Sequence, residues 1–397
     1  MPIASPSRTF APLNPPQRLL LGPGPSDVHP RVLAAMTLPL LGHLDPAFVA
    51  MMDETKEMLR YVFQTKNPMT LALPGTGSSG MESAFVNLIE PGDSVLICVV
   101  GYFGERMVDM TERLGAKVHV IEKPYGEAFD PSEVRDAVKK HAPKVVGIVH
   151  AETSSGVLQP LEEIVKIVHE AGALIVVDAV TSLGCVPVMT DEWGLDVVFS
   201  CTQKGLSCPP GMAPISFSPK AVETIHARKT KVPNWYLDVS LLSKYWGSDR
   251  AYHHTAPISM AYALREGLSL VIEETLEARF ARHVRNQKAL KAGLQALGLT
   301  YVAAEGFQVP AVHAVRIPDG IDDLTIRKRL LNDMGIEIGG GLGSLKGKAW
   351  RIGLMGQGSK ERNVLLLLGA LEVCLRDAGC SLKPGAALEA AGAAYAG

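Results

Sequence analysis

The stretch ALIVVDAVTSLGCVPVMTDEWGLDVVFSCTQK, residues 173–204, contains the pattern that decides the fold. An apolar run typical of a strand ends at Asp178, and a second apolar run ends at Ser200, four residues before Lys204. Continuous β-branched runs are typical of strands in a parallel sheet, and ligands of open α/β sheets bind at the carboxyl ends of the strands. We therefore expect the carboxylate of Asp178 and the amine of Lys204 to meet in one crevice.

Further apolar runs precede this stretch and alternate with amphipathic helical segments of about 12 to 15 residues. The predicted strands are Met69–Leu73, Ser94–Val100, Lys117–Ile121, Val145–His150, Leu174–Asp178 and Asp196–Ser200. Strands and helices that alternate in this way predict a mostly parallel sheet covered by helices on both faces.

The pattern changes after the predicted sheet. Residues 261–297 have one long helical pattern, which we interpret as a hinge helix, and mixed helical and strand segments follow it. We predict a Pro-rich N-terminal arm at 1–17, a large domain at 18–275 and a small domain at 276–385. The Gly/Ala-rich tail at 386–397 is expected to be at most a frayed helix.

Composition excludes several classes of protein. The 397 residues are 47% hydrophobic and 20% charged with a formal net charge of −2, as in ordinary globular chains. A nucleic-acid or membrane-surface protein would have a basic excess, and apolar runs such as Val364–Leu368 are far shorter than the ~20 residues of a membrane span. Six cysteines without C-x-x-C spacing, and no secretory signal, predict free thiols, no metal site and a cytoplasmic protein.

A glycine-rich loop follows the first predicted strand. Residues 75–80, GTGSSG, match G-x-G-x-x-G literally, but the next strand ends in Cys98-Val99-Val100 without the acidic residue that a nicotinamide dinucleotide site requires. Small residues, helix N-terminal amides and the hydroxyls of Thr76 and Ser78 are suited to holding one phosphate group. The alternative is a plain turn between strand and helix.

Asp178 and Lys204 beside a phosphate loop are the arrangement of pyridoxal phosphate enzymes. A buried acid keeps the pyridine nitrogen protonated, so that the ring remains an electron sink, and a lysine forms a Schiff base with the aldehyde. Judged singly, Asp178 could be a helix cap and Lys204 a solvated loop residue.

Over residues 18–376 the chain resembles the class V, fold-type I aminotransferases, and within them the alanine–glyoxylate and serine–pyruvate aminotransferase group. The matching motifs are GPGPS (22–26), PGTGSSGMES (74–83), HAETSSGVLQP (150–160), VDAVTSLG (177–184), SCTQKGLSCPPG (200–211), YHHTAP (252–257), GGGLG (339–343) and GKAWRIGLMG (347–356). The resemblance implies an α/β fold with a mostly parallel seven-stranded sheet and a smaller C-terminal α+β domain. It also implies pyridoxal 5'-phosphate and a homodimer with shared active sites.

The resemblance implies a role for each matching residue. Lys204 would be the Schiff-base lysine and general acid/base, and Asp178 the partner of the pyridine nitrogen. The other implied cofactor-binding residues are Thr76, Gly77, Ser78, Phe103, Ser154, Val180, Gln203, Tyr252 and Thr255. Of these, Tyr252 and Thr255 would reach the phosphate of the neighbouring subunit.

Three residues are implied on the substrate side, namely Gly24, Ser154 and Arg351, of which Arg351 would grip the substrate carboxylate as a bidentate fork. Arg351 could instead be a surface strand residue. Two positions depart from several animal relatives, which have Trp and His where this chain has Phe103 and Ser78. Phe103 retains ring stacking with less area, so the exact substrate preference does not transfer.

The function that this reading predicts is transfer of an amino group from alanine or serine to glyoxylate by a ping-pong mechanism. A ureidoglycine–glyoxylate aminotransferase is the alternative, because its relatives share LLG-x-x-DP (40–46) and a GAA-x-x-AA tail, whereas YHHT and GGGLG favour the alanine–glyoxylate group. A cysteine desulfurase needs a mobile-loop cysteine, and Cys201, Cys208 and Cys374 lack that context. A non-enzymatic phosphate-binding module would need neither Lys204 nor Arg351.

Overall fold

The computed structural model describes residues 10–247 and 249–396. Residues 1–9 of the predicted arm, Ser248, and Gly397 of the predicted tail lie outside the described residues. The remainder of the arm, residues 10–17, is irregular and exposed.

The described residues form fourteen strands and fourteen α-helices, with 3-10 turns at Gly343–Leu345 and Gly356–Gly358. The strands are β1 (Leu19–Leu20), β2 (Met69–Gly75), β3 (Ser94–Val99), β4 (Lys117–Glu122), β5 (Val145–Val149), β6 (Ala151–Glu152), β7 (Val157–Leu158), β8 (Leu174–Asp178), β9 (Val197–Phe199), β10 (Gly211–Phe217), β11 (Val312–Arg316), β12 (Ile336–Glu337), β13 (Gly339–Gly340) and β14 (Ala349–Gly353). The helices are α1 (Pro30–Ala35), α2 (Pro46–Phe63), α3 (Gly77–Leu88), α4 (Tyr102–Arg113), α5 (Pro131–His141), α6 (Glu162–Glu170), α7 (Thr190–Trp193), α8 (Pro219–His226), α9 (Val239–Trp246), α10 (Ile258–Glu274), α11 (Leu276–Ala296), α12 (Asp323–Met334), α13 (Glu361–Asp377) and α14 (Ala386–Ala396).

The central sheet has seven strands in the order β2-β10-β9-β8-β5-β3-β4. Strand β10 is antiparallel to both of its neighbours, and the other strands share one direction. The predicted seven-stranded, mostly parallel sheet is confirmed, and the six strands found in the sequence lie within two residues of their predicted ends. The sequence pattern did not reveal β10, because Pro214 interrupts it; in the sheet, its carbonyl accepts a hydrogen bond from the Ser200 N–H at 2.8 Å.

The core of the large unit lies on both faces of this sheet. Strands β5, β8 and β9 are buried at every position, as expected for strands covered by helices on both sides. Helix α3 packs on β2, β9 and β10, and α4 packs on β3 and β4. The amino-terminal ends of α3 and α4 therefore lie near the carboxyl edge of the sheet.

A separate core is formed by the C-terminal part of the chain. It surrounds an antiparallel sheet with the order β11-β14-β13, and its largest buried side chain is Trp350. Together with helices α11 to α14, this sheet gives the smaller α+β unit that the resemblance implied.

The predicted single helix over 261–297 is wrong in one respect, because the structure has two helices that meet at Thr275. Thr275 has a φ of 66°, in the left-handed region, and its hydroxyl accepts the Ala278 N–H at 3.3 Å. A threonine that caps the next helix ends the first one, although the surrounding residues have helical periodicity throughout.

The tail is more ordered than its composition indicates. Helix α14 packs along α11, where Ala387 and Ala391 are fully buried and the Tyr395 hydroxyl donates to Asn286 Oδ1 at 2.8 Å. Glu372 of α13 accepts the Gly385 N–H at 2.7 Å at the start of this helix. Small side chains let the two helices approach closely, so a segment with weak periodicity is held by tertiary packing.

None of the helices in the described residues combines the length and the apolar character needed to cross a membrane. No group of three or more His, Cys, Asp or Glu side chains in the same residues could hold a metal ion. All six cysteines are free thiols, and five of them are buried.

Candidate active site

Asp178 and Lys204 lie at the carboxyl edge of the sheet. Asp178 is the last residue of β8 and is directly opposite Phe199, the last residue of β9, in the parallel register. Lys204 follows Phe199 by five residues, and both charged side chains are buried, with 2% and 8% exposure. The structure thus brings together the carboxylate and the amine that the sequence predicted to meet.

The Asp178 carboxyl is buried with few partners. Its Oδ1 accepts one hydrogen bond, from the Val180 N–H at 2.8 Å. Burial raises the pKa of Asp178 to about 7, against the opposing influence of that hydrogen bond and of the Lys204 and Arg106 charges. A cationic partner next to Asp178 would stabilise its ionised form.

The GPGPS turn forms a wall around Lys204. The Lys204 amine donates to the Pro23 carbonyl, and a Cβ on Gly24 would lie 2.6 Å from Lys204 Cε. Gly24 also has a φ of +118°, so a side chain there would be strained in any case. Ser26 binds the Lys204 loop twice, through its N–H to Gln203 O and its hydroxyl to Lys204 O. Burial lowers the pKa of the Lys204 amine, which favours the neutral form that acts as a nucleophile or base.

The glycine-rich loop opens α3 beside Asp178. A Cβ on Gly77 would lie 2.9 Å from Val180 Cγ2, so this loop packs directly on the turn after Asp178. Thr76 is the N-cap residue of α3, but its side chain makes no capping hydrogen bond. Gln203 has a buried side-chain oxygen without a hydrogen-bond partner among the described residues. The free N–H groups at the amino-terminal end of α3 favour an anion.

Arg351 lies in the central strand of the small sheet. It is 9% exposed, and its Nε donates to Gly340 O at 2.7 Å. Its two Nη atoms have no hydrogen-bond acceptor among the described residues, so they remain available to a carboxylate. Burial lowers the pKa of Arg351 to about 10, which leaves the guanidinium charged at neutral pH. Its charge also contributes to the lowered pKa of Lys204, so the two cations are in electrostatic reach of each other.

The family described as Aminotransferase class-V matches residues 20–353 of this chain. The chain belongs to this family. It is 52% identical to alanine–glyoxylate aminotransferase from Nostoc sp., with a TM-score of 0.92 over 93% of this chain and 98% of that one. It is 43% identical to ureidoglycine–glyoxylate aminotransferase from Bacillus subtilis, with a TM-score of 0.96 over 98% and 100%. Alanine–glyoxylate aminotransferase of Callithrix jacchus is 44% identical over 94% of this chain and 91% of its own length.

The cofactor of a class V aminotransferase is pyridoxal phosphate, and the residues present fit it. The start of α3, where Thr76 makes no capping hydrogen bond, is where a phosphate would be held, and the Asp178 carboxyl, which accepts one hydrogen bond, is where a protonated ring nitrogen would be held. The Lys204 amine is in electrostatic reach of both Asp178 and Arg351. When bound, the cofactor supplies an electron sink for charge that develops at the substrate Cα.

Ser78 and Phe103 are joined by a residue that the sequence analysis did not single out. Arg106 donates to the Ser78 hydroxyl at 3.0 Å, and its guanidinium carbon lies 4.9 Å from the centre of the Phe103 ring. In this class V aminotransferase, Arg106 therefore links the predicted phosphate loop to the predicted ring-stacking residue. Its position three residues after Phe103 on a helix was the available signal.

Glu152 is a second missed residue, and it caps α4 from another part of the chain. Its carboxylate accepts the Phe103 N–H at 3.2 Å and the Ser154 hydroxyl at 2.6 Å, while that hydroxyl accepts the Tyr102 N–H at 3.1 Å. A Cβ on Gly101 would lie 2.4 Å from Glu152 Cγ, so only glycine fits before this helix. Burial raises the pKa of Glu152. Its acidic position within HAETSSG was visible in the sequence, but the capping role was not.

The capping contacts affect how Ser154 is interpreted. Its hydroxyl is already bound to Glu152 and to the start of α4, so a role beside the cofactor ring stays a prediction. The neighbouring Thr153 shares a hydrogen bond with the Thr181 hydroxyl, three residues after Asp178. Thr153 is therefore a further candidate for the lining of this site.

Tyr252 and Thr255 lie outside the buried site. Both are exposed, Tyr252 to 62%, and its ring lies 5.2 Å from that of His43. In the described residues, neither side chain has a hydrogen bond to the phosphate loop of its own chain. The structure of one chain thus brings together the predicted site residues of the sheet edge and of the small unit, and leaves these two apart.

Proposed function

We propose that this class V aminotransferase transfers the amino group of a small L-amino acid, alanine or serine, to glyoxylate. The observation that carries the proposal is the buried crevice with the Lys204 amine beside the Asp178 carboxyl and the free Nη atoms of Arg351. One arginine fork suits a substrate with one carboxylate, and the turn at Gly24 leaves little room beside the amine. The relative from Nostoc sp. has alanine–glyoxylate in its name, which supports the same pair of substrates.

Each residue has a defined task in this proposal. Arg351 binds and orients the substrate carboxylate, and Asp178 keeps a proton on the ring nitrogen of the cofactor. Lys204 anchors the cofactor until the amino acid arrives and then, as a neutral amine, takes the proton from the substrate Cα. The second substrate enters after the first product has left, so we expect ping-pong kinetics.

Ureidoglycine–glyoxylate transamination is the second candidate. It is supported by the relative from Bacillus subtilis, which matches 98% of this chain with a TM-score of 0.96. Steady-state assays of alanine, serine and ureidoglycine against glyoxylate separate the candidates. If ureidoglycine has the highest kcat/KM, the second candidate replaces the first, and if none of the three donors is used, both are wrong.

The decisive variant is Lys204→Ala. We expect it to lose turnover and the visible absorbance band of the bound cofactor while it retains its fold, because it removes the amine from this edge of the sheet. Lys139→Ala, at an exposed position of α5, is the matched control and should behave like the unchanged protein. Turnover in Lys204→Ala equal to that of the control would show that the role proposed for the lysine is wrong.

We also propose a homodimer whose sites are shared between subunits. Large apolar side chains with 43% to 93% exposure support it, namely Leu13, Leu33, Leu38, Leu40, Leu44, Trp235, Tyr236 and Tyr252. Seven of these eight side chains fall in two stretches, residues 33–44 and 235–252, and clustered exposed apolar side chains are typical of subunit interfaces. Sedimentation equilibrium tests the proposal, and a monomer at micromolar concentration would contradict it.

The division of the chain at 275/276 and the cytoplasmic location are proposals as well. The helix break at Thr275 supports the first, and limited proteolysis of the cofactor-free protein would test it. The six free thiols support a reducing compartment, which cell fractionation would test.

A further inference from the structure

Glu274, Arg279 and Arg282 form an ion cluster across the bend between α10 and α11, which we call the Glu274 cluster. Glu274 Oε2 accepts from Arg279 Nη1 at 2.6 Å, and Glu274 Oε1 accepts from Arg282 Nε at 2.5 Å. Glu274 ends α10, and both arginines lie in the first two turns of α11. The cluster therefore fixes the angle of the chain at Thr275, where the large and small units meet.

Arg279 binds the backbone of the two loops that follow Asp178 and Lys204. It is 5% exposed; its Nε donates to Gly184 O at 2.8 Å, and its Nη2 donates to Gly205 O. Gly205 directly follows Lys204, and Gly184 lies six residues after Asp178. One buried guanidinium thus holds the loops behind both reactive side chains.

Arg282 binds the backbone that follows Arg351. Its Nη1 donates to Gly356 O at 2.9 Å and to Ser359 O at 2.5 Å, in the loop that begins after β14. The next residue, His283, accepts the Gly356 N–H at 3.0 Å. The same turn of α11 that holds the Lys204 loop therefore also holds the loop of the small unit that continues from Arg351.

The two loops also touch each other directly. The Ser207 hydroxyl accepts the Gln357 N–H at 2.7 Å, and the Ser207 N–H donates to Lys204 O at 3.0 Å. A Cβ on Gly356 would lie 2.6 Å from Gly205 O, so no space separates the loops. A shift of the small unit against the large one would have to break these contacts and those of the Glu274 cluster together.

We propose that Arg279 and Arg282, joined by Glu274, are positioning residues that set the Lys204 amine relative to the Arg351 guanidinium. In an amino acid the carboxylate carbon is bonded directly to the Cα. The guanidinium that binds the carboxylate and the amine that takes the Cα proton therefore need a fixed separation. A misplacement of about 1 Å can cost about 100-fold in rate. The proposal rests on the roles proposed above for Lys204 and Arg351.

Methionine variants of the two arginines test the proposal. Arg279→Met should lower kcat by about 10-fold or more and change the visible circular dichroism of the bound cofactor, because the Lys204 loop loses its anchor. Arg282→Met should mainly raise KM for the amino acid, by about 5-fold or more, because the loop after Arg351 loses two hydrogen bonds. Arg285→Met is the matched control: Arg285 is on the same helix, exposed, and paired with Glu361 at 3.3 Å, and its variant should stay within about 2-fold of the unchanged protein.

The double variant Arg279→Met/Arg282→Met measures coupling through Glu274. Since both arginines share that carboxylate, the loss in kcat/KM should differ from the product of the two single losses by about 3-fold or more. Arg279→Lys should recover only part of the rate, because one ammonium cannot reach two carbonyls and a carboxylate in the geometry of a guanidinium.

The proposal is wrong if folded Arg279→Met has the kcat, KM and circular dichroism of Arg285→Met. If Arg279→Met does not fold, the kcat, KM and circular dichroism of Arg279→Lys are compared with those of Arg285→Met instead. If that variant also fails to fold, the cluster serves folding rather than the site, which equally overturns the proposal. Failure of the proposed function is distinguishable, because Lys204→Ala would then retain turnover whatever the cluster variants do.

Discussion

The two halves of the predicted cofactor site differ sharply in their surroundings. At the sheet edge, Asp178 and Lys204 are buried, and they contact the predicted site residues Val180 and Gly24 of the same chain. The side chains of Tyr252 and Thr255 are exposed and have no hydrogen bond to the phosphate loop among the described residues. The difference teaches that one chain is sufficient to assemble the reactive groups, whereas the phosphate role predicted for Tyr252 and Thr255 would need a second subunit.

The largest expected effect is on the buried half. Asp178→Asn removes the charge that keeps the ring nitrogen protonated, so we predict a loss in kcat well above roughly 100-fold with an intact fold and weaker cofactor binding. Asp136→Asn, at an exposed position of α5, is the matched control. A near-normal kcat in Asp178→Asn would show that Asp178 has only a structural role, as a helix or loop cap.

A smaller effect is expected on the exposed half. Thr255→Ala should weaken cofactor binding by about 10- to 150-fold, equivalent to roughly 1.5 to 3 kcal/mol for one hydrogen bond to a charged phosphate. Cofactor titration of the purified apoprotein measures it. Unchanged affinity would mean that Thr255 does not reach any phosphate site.

Mixed dimers test whether Thr255 contributes to the site of its own subunit or to that of the neighbouring subunit. Thr255→Ala and Lys204→Ala homodimers should both be nearly inactive at limiting cofactor. After unfolding and refolding together, each mixed dimer would have one site with both substitutions and one intact site. Since about half of the molecules are then mixed with one good site each, recovery of about a quarter of the original activity is expected. No recovery from demonstrably mixed dimers would exclude a site shared in this way.

The last expected effect is on stability rather than on activity, and it again concerns the buried half. Burial raises the pKa of Asp178 from 3.8 to about 7, so between these values the unfolded chain loses the proton first. The contribution of Asp178 to the stability of the cofactor-free protein should therefore be lost as the pH rises from about 4 to 7, by up to about 4 kcal/mol. Glu152, whose pKa is raised by burial too, contributes in the same direction.

Urea unfolding of cofactor-free protein at several pH values measures this slope. Relative to the unchanged protein, Asp178→Asn should gain stability as the pH rises from about 4 to 7, because the other titrating groups are common to both proteins, and it should be the more stable protein at pH 7. A stability difference between the two proteins that does not change with pH would contradict the raised pKa. The combination of higher stability with lost turnover would mark Asp178 as a residue retained for chemistry.

Much of the fold could be predicted from local pattern. Six strands of the central sheet were found because β-branched runs alternate with amphipathic segments, whereas β10 was missed because Pro214 interrupts its pattern. The break at Thr275 was missed for the opposite reason, since helical periodicity continues through it. Periodicity reports which face of a segment is buried, and it does not report where a single residue leaves the helical region of φ and ψ.

The sequence by itself determined the family, the sheet, and the placement of Asp178 and Lys204 at its carboxyl edge, because each of these follows from spacing within a strand or a loop. Only the tertiary structure decided that Glu152 caps α4 and that Arg279 binds the loops behind Asp178 and Lys204. These contacts join residues about 50 to 100 positions apart, and their buried donors and acceptors find one another only when the helices have packed on the sheet. No local pattern of residues carries that information.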